Sequence, residues 1–276
     1  LGFRMAPKVL PDGSTDVNAE GIPNEPIPDF RGEHEFRVLC LGDSITAAGT
    51  LQRREDRWTN VLEGRLQTSH PAGRVRAINA GIEGYRIVQM RQLLDDLGPR
   101  YQPDVVVVMF QDPSQDMYIP PNPRLAWRYP FRGWLYRQSL VKSSLLWATG
   151  IQSFGSWPGA EPMAQEPDAR KAIASNLASF ARFAQQNGEQ MLFALAPRAN
   201  PAAVGAHPSL PPEIYSALRA ETEAMGAAMW WPENAASLRA LGDAAFGEGD
   251  AIHLSQAGNA AVGNELAEEI LRRGWL

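Results

Sequence analysis

The chain has 276 residues, of which 44% are hydrophobic and 21% charged, and a net charge of −5. This is ordinary globular composition. It is long enough to bury a full core without staples, and its acidic balance gives no global reason for nucleic-acid binding. One cysteine excludes an internal disulfide framework, and no apolar run approaches the roughly 18 residues needed to span a bilayer.

Residues 1–34 are rich in Pro, Gly, Asn and Asp. They read as an extended arm over the surface with little regular structure. Residues 35–276 read as a single domain. Residues 36–41 form a short apolar run ending at Gly42, the pattern of a buried parallel strand. Cys40 lies within it and reads as a buried small hydrophobe rather than a nucleophile. Residues 58–66 have helical spacing, 75–79 read as a strand, and 87–97 as a helix with one apolar face. Residues 104–110 are the strongest strand signal, continuous and β-branched, hence buried on both faces. Residues 113–166 break the rhythm and read as an insertion with one helix at about 132–148. A helix at 169–187, a strand at 190–195, a helix at 211–225 and a short strand at 227–231 follow. A helix over 255–273, with Ser255 as N-cap, closes the chain.

Alternating strands and helices predict a parallel sheet with helices on both faces, a three-layer α/β/α sandwich. Ligands of such sheets bind outside the carboxyl ends of the strands, so the residues just past each strand are the candidates. After the first comes Gly42-Asp43-Ser44. A serine there, in a turn leading into a helix, exposes its hydroxyl at the sheet edge and sets its own N–H among free helix-terminal donors. The plain alternative is that Asp43 or Ser44 only caps the helix. After the second strand comes Asn79-Ala80-Gly81-Ile82-Glu83-Gly84-Tyr85. Its glycines let a backbone N–H approach a ligand, or simply make a turn. Of four histidines, His253 alone has a carboxylate three residues earlier, Asp250, and it precedes the last helix. That spacing lets Asp250 bind the imidazole Nδ1–H and leaves Nε2 free for a serine.

These segments together resemble the SGNH hydrolase superfamily, also called GDSL-type esterases and lipases. Its Gly-Asp-Ser block is matched by Gly42-Asp43-Ser44, its glycine after Asn-Ala falls on Gly84, and its Asp-x-x-His block is matched by Asp250 and His253. The last of these is followed by Leu254-Ser255-x-x-Gly258. The arm is similar to that of a subset with Gly-Phe-Arg followed by Asn-x-x-Gly, here Gly2-Phe3-Arg4, then Asn18 and Gly21. The resemblance implies a flavodoxin-like SGNH fold and a serine esterase acting on carboxylic esters through an acyl-enzyme. Ser44 would be nucleophile, His253 base and Asp250 its orienting carboxylate. Ser44 and Gly84 would give oxyanion N–H groups. One block departs: where the family carries Gly-x-Asn-Asp, this chain has Phe110-Gln111-Asp112-Pro113-Ser114-Gln115. By one count the asparagine position falls on Pro113, which has no donor; by another on Gln111. Gln111, Ser114 and Gln115 are the candidates for the missing donor, and Gln111 is favoured.

Asp43 is expected to hold the turn and, with Tyr85 and Trp134, to line the substrate site. The insertion carries Trp127, Trp134 and Trp147 among arginines, with no acidic residue over 117–160. It fits a lid over an acyl pocket, a sugar platform, a membrane-surface contact through 124–148, or a plain packed helix with solvated arginines. The expected partner is a small-molecule or glycan ester, with no nucleic acid, no cofactor and no metal, since no zinc spacing and no Gly-x-Gly-x-x-Gly pattern is present. A periplasmic or secreted location is the weaker expectation, from the start at Leu1 and the likeness of the arm. Two rival readings share the fold: an O-acyltransferase passing the acyl group to a polysaccharide, and a non-catalytic glycan- or lipid-binding protein.

Overall fold

The computed structural model describes residues 5–9, 13, 15–28, 30–51, 53–111, 166–199 and 212–276. Trp134, Ser114, Gln115, the proposed membrane contact at 124–148 and Gly2-Phe3-Arg4 lie outside them.

A five-stranded parallel sheet forms the middle layer. Its strands are β3 (Glu35–Gly42), β4 (Arg74–Gly81), β5 (Val105–Phe110), β6 (Gln190–Leu195) and β7 (Ala228–Trp230), in the order β4-β3-β5-β6-β7. Both faces are covered, which is why the strands read as continuous apolar runs rather than alternating ones. Leu39, Leu41, Val106 and Val108 face one apolar cluster; Val38, Cys40, Val105 and Val107 face the other. Cys40 is fully buried, and desolvation pushes its thiol pKa up, away from any nucleophilic use.

Helices α3 (Ile87–Tyr101), α4 (Glu166–Asn187) and α5 (Pro212–Ala224) cover the first face. Helices α2 (Trp58–Ser69), α6 (Ala236–Leu241) and α7 (Gln256–Arg272) cover the second. The expected three-layer α/β/α sandwich is the observed architecture. Helix α3 buries Ile87, Met90, Leu93, Leu94 and Leu97, the stripe of an amphipathic helix. It runs four residues past the expected end. Gly98 lets it press on Phe183, whose ring stands 2.6 Å from where a Cβ would be. The helix stops only where Gln102 turns left-handed, with its N–H on Gly98 O at 2.8 Å. Helix α6 has no counterpart in the sequence reading; at six residues it is too short for a periodic signal.

The arm differs from the expectation of an extended surface segment. It forms an antiparallel pair, β1 (Lys8–Val9) with β2 (Thr15–Val17), and then turns into the core. Asn18 builds that turn. Its Oδ1 accepts from the N–H groups of Glu20 (3.0 Å) and Ile22 (3.3 Å), and Gly21 adopts a φ of 74°. The turn drives Ile22 to complete burial. Beside it, the Asp16 carboxylate pairs with the buried Arg57 guanidinium at the start of α2. Polar pairing, invisible in local propensity, is what fixes the arm.

Removing Asp16 strands the Arg57 charge, which is 1% exposed. Asp16→Ala should lose about 3–5 kcal/mol, as expected when one partner of a buried pair is deleted. Lys8, the other partner of Asp16, has a side chain 60% exposed, and Lys8→Ala should cost no more than about 1 kcal/mol. Urea unfolding midpoints of the two variants check the contrast.

Candidate active site

The chain leaves β3 for β4 on one side and returns through α3 to β5 on the other, so the carboxyl end of β3 is the topological switch point of the sheet. Ser44 stands there, as the first residue of the one-turn helix α1 (Ser44–Ala47). Asp43 caps that helix: its Oδ1 accepts from Ile45 N–H at 2.9 Å. Its other oxygen accepts from the Gln111 side-chain amide, just past β5.

Close approach of backbones positions α1. A Cβ on Gly42 would lie 2.0 Å from Thr46 Oγ1, and one on Gly81 would lie 2.2 Å from Ala47 N. Both glycines are therefore steric requirements of the serine turn. Asn79, at the end of β4, locks the contact. Its Nδ2 donates to Thr46 O at 2.8 Å and its Oδ1 accepts from Gly81 N–H at 3.0 Å. Asn24 of the arm donates in turn to Asn79 O.

His253 arrives from the other end of the chain. Its loop is closed by Gly247 N–H on His253 O at 2.9 Å and by a bridge between Phe246 and Leu254. Ser255, the expected N-cap of α7, accepts from Gly258 N–H at 3.1 Å. Gly258 is needed because a Cβ there would meet Ala245 O at 1.9 Å. Asn259 accepts from Trp58 N–H at 3.0 Å and so ties α7 to α2.

The loop and the serine turn meet. His253 Nε2 lies 2.9 Å from Ser44 Oγ, and His253 Nδ1 lies 2.7 Å from Asp250 Oδ2. Asp250 Oδ1 accepts from the N–H groups of Ile252 (2.7 Å) and His253 (3.0 Å). One carboxylate thus shapes the backbone turn with one oxygen and holds the imidazole with the other. The His253 N–H above all, then the imidazole and the Ile252 N–H, lowers the Asp250 pKa to about 2. Asp43 moves the other way: burial pushes its pKa up, against the opposing pull of Ile45 N–H, Gln111, Arg198 and His253.

The other candidates divide. Gly84 is exposed near the end of the β4 turn with a φ of 73°, a conformation that favours glycine. Gln111 faces Asp43, so at least one of its amide hydrogens buttresses the serine turn. Asp43, expected to line the substrate site, is 7% exposed and engaged in capping. Tyr85, expected beside it, is 5% exposed and packed in the apolar cluster with Ile82 and Ile87. The glycine before it, with positive φ, turns the chain so that the ring goes inward. Arg198, just past β6, was not singled out, although its place at the carboxyl end of a parallel strand is the signal that would have found it.

Residues 40–110 match the model of the GDSL-like Lipase/Acylhydrolase family. No curated protein matches the sequence. Among solved structures, LAE5, an alpha/beta hydrolase enzyme from the metagenome of Lake Arreo, is similar at 16% identity and TM-score 0.54, over 85% of this chain and 94% of that one. Axe2, an acetylxylan esterase from Geobacillus stearothermophilus, is similar at 16% identity and TM-score 0.51, over 85% of this chain and 94% of the other. TesA is similar at 18% identity and TM-score 0.51, over 87% and 99%. At such identities the structural likeness establishes the fold. Fold and family match together support an esterase- or lipase-like hydrolase. The match over residues 40–110 and the shared fold support a likeness to the SGNH hydrolases.

Because the folded-state pKa of Asp250 is depressed from 3.8 to about 2, its contribution to stability is complete above the ordinary value. It is lost as pH falls toward about 2. Asp250→Asn removes the titrating group while keeping an oxygen for the two N–H groups. Urea midpoints measured from pH 6 to pH 2 should differ most between wild type and variant at the upper end and converge below pH 3.

Proposed function

We propose that this protein is a serine esterase that cleaves carboxylic esters of small molecules or glycans through an acyl-enzyme on Ser44. The observation that carries this reading is the continuous chain of contacts from Asp250 through His253 to Ser44, with links of 2.7 and 2.9 Å. Nucleophile and base stand within hydrogen-bond reach, and a third group orients the base.

With Nδ1–H donated to Asp250, Nε2 carries the lone pair that faces Ser44 Oγ–H. At a depressed pKa of about 2, Asp250 remains a carboxylate wherever an imidazole is neutral, so it fixes this tautomer and stabilises the imidazolium. Ser44 Oγ attacks the ester carbonyl while Nε2 takes its proton. The tetrahedral oxyanion is met by the N–H groups of Ser44 and Gly84. The Ser44 amide opens α1 and has no intrahelical acceptor, and Gly84 follows β4 with an exposed, side-chain-free backbone at positive φ. His253 then returns the proton to the leaving alcohol. Water, activated by the same imidazole, releases the carboxylic acid and restores Ser44.

By one of the two counts, Gln111 stands where the family's pattern carries its oxyanion asparagine. One hydrogen of its amide serves Asp43, and the other is the candidate third donor. Such a donor typically contributes about 100- to 1000-fold in rate.

A fluorophosphonate probe should label the wild type and fail to label Ser44→Ala. Turnover of a nitrophenyl ester should fall by about 10,000-fold in Asp250→Asn, which retains the turn but permits the wrong tautomer. Equal labelling of wild type and Ser44→Ala, or full activity in Asp250→Asn, would remove the basis of the proposal.

A further inference from the structure

Past β6 the chain runs Ala196-Pro197-Arg198-Ala199, which sets Arg198 on the same sheet edge as Ser44 and Gln111. Ala199 N–H donates to Ala251 O at 3.0 Å and so fastens this turn to the loop of Asp250 and His253. Arg198 is partly buried, and its Nε is fully buried with no hydrogen-bond acceptor. No hydrogen bond or ion pair joins its guanidinium to another described residue. The carboxylates of Asp43 and Asp250 act on it through space, while burial pulls its pKa down. Both carboxylates are already committed: Asp43 to Ile45 N–H and Gln111, Asp250 to two backbone N–H groups and the imidazole. Neither can swing to the guanidinium without releasing the serine turn or the histidine.

A guanidinium remains charged at any working pH and offers five N–H donors in a planar fork. Taking such a group partly out of water without an acceptor is unfavourable. No described residue supplies that acceptor, and one that enters with the substrate, at the mouth where the acyl-enzyme would form, would relieve it. A carboxylate fits best, since its paired oxygens match the fork and its charge is complementary.

We propose that Arg198 is a specificity-determining residue, and that the preferred ester carries a carboxylate held by this guanidinium, on either the acyl or the alcohol side. The proposal rests on the esterase reading above. The Ala199–Ala251 tether fastens the turn that carries Arg198 to the His253 loop, and the guanidinium is near enough to Asp43 and Asp250 to feel both charges, so a carboxylate gripped there brings the ester bond toward Ser44.

The test measures kcat/KM for two matched pairs. The mono-nitrophenyl ester of glutaric acid is compared with nitrophenyl pentanoate, which places the charge on the acyl side. Acetoxybenzoate is compared with phenyl acetate, which places it on the alcohol side. In the wild type at least one anionic ester should exceed its neutral partner by about tenfold or more, and the pair that does so names the side. In Arg198→Gln that ratio should drop by about tenfold or more, and in Arg198→Lys by less, because the charge stays while the fork is lost. Glutarate should also inhibit the wild type competitively more strongly than neutral pentanediol, a measurement that needs no variant to fold. Ratios near one in the wild type would overturn the proposal, as would equal inhibition. A loss in Arg198→Gln that is the same for charged and neutral esters, with a displaced pH profile, would also overturn it and make Arg198 a positioning group for His253. Fluorophosphonate labelling separates the two levels: a labelled wild type without anion preference sinks this inference alone, and an unlabelled one sinks the esterase reading beneath it.

Discussion

Ser44 is held by backbone lying against backbone. Helix α1 crosses the ends of β3 and β4 so closely that Gly42 and Gly81 have no room for a Cβ. A single helical turn has too few internal hydrogen bonds to stand alone. Its position comes from Asp43 at its start and from Asn79, which joins Thr46 O to Gly81 N–H. The arm adds a further tie through Asn24 and Asn79 O. Displacing any of these would move the hydroxyl relative to an imidazole 2.9 Å away, a distance at which a shift of about 1 Å is costly to chemistry.

The imidazole is positioned by an independent set of contacts. Gly258 rests on Ala245 O, Gly263 packs on Trp58 O, and Asn259 binds Trp58 N–H. Through them α7 and α2 form one unit on the second face of the sheet. Serine and histidine are 209 residues apart in the chain. They meet because both units dock on the same five strands.

Two aspartates at this edge show how environment divides one side-chain type into two roles. Asp43 is buried, its pKa rises, and it serves as a cap. Asp250 has a side chain about one-third exposed, with two backbone donors and an imidazole around it, and its pKa falls to about 2. Arg198 feels the charge of both without a hydrogen bond to either or to any other described residue. Among the described residues, this edge therefore combines committed carboxylates with a guanidinium that bonds none of them.

Much of this was legible beforehand. The apolar runs of β3, β5 and β6, the stripe of α3 and the Asp250–His253 spacing are local patterns, and local patterns survive in a linear text. The arm was misread because its burial depends on Asp16 finding Arg57, 41 residues later. Tyr85 lies in the apolar cluster that also holds Ile82 and Ile87, because a residue beside an exposed glycine can point either way and only packing decides. Arg198 was missed because a lone arginine in a loop carries no periodicity. By itself, then, the sequence determined the order of strands and helices and which residue types stand at the strand ends. Hydrophobic period and spacing are properties of neighbours in the chain. The tertiary structure decided which of those residues touch, which aspartate is buried and which cation bonds no other described residue, because contact, desolvation and charge pairing are set by distances in space.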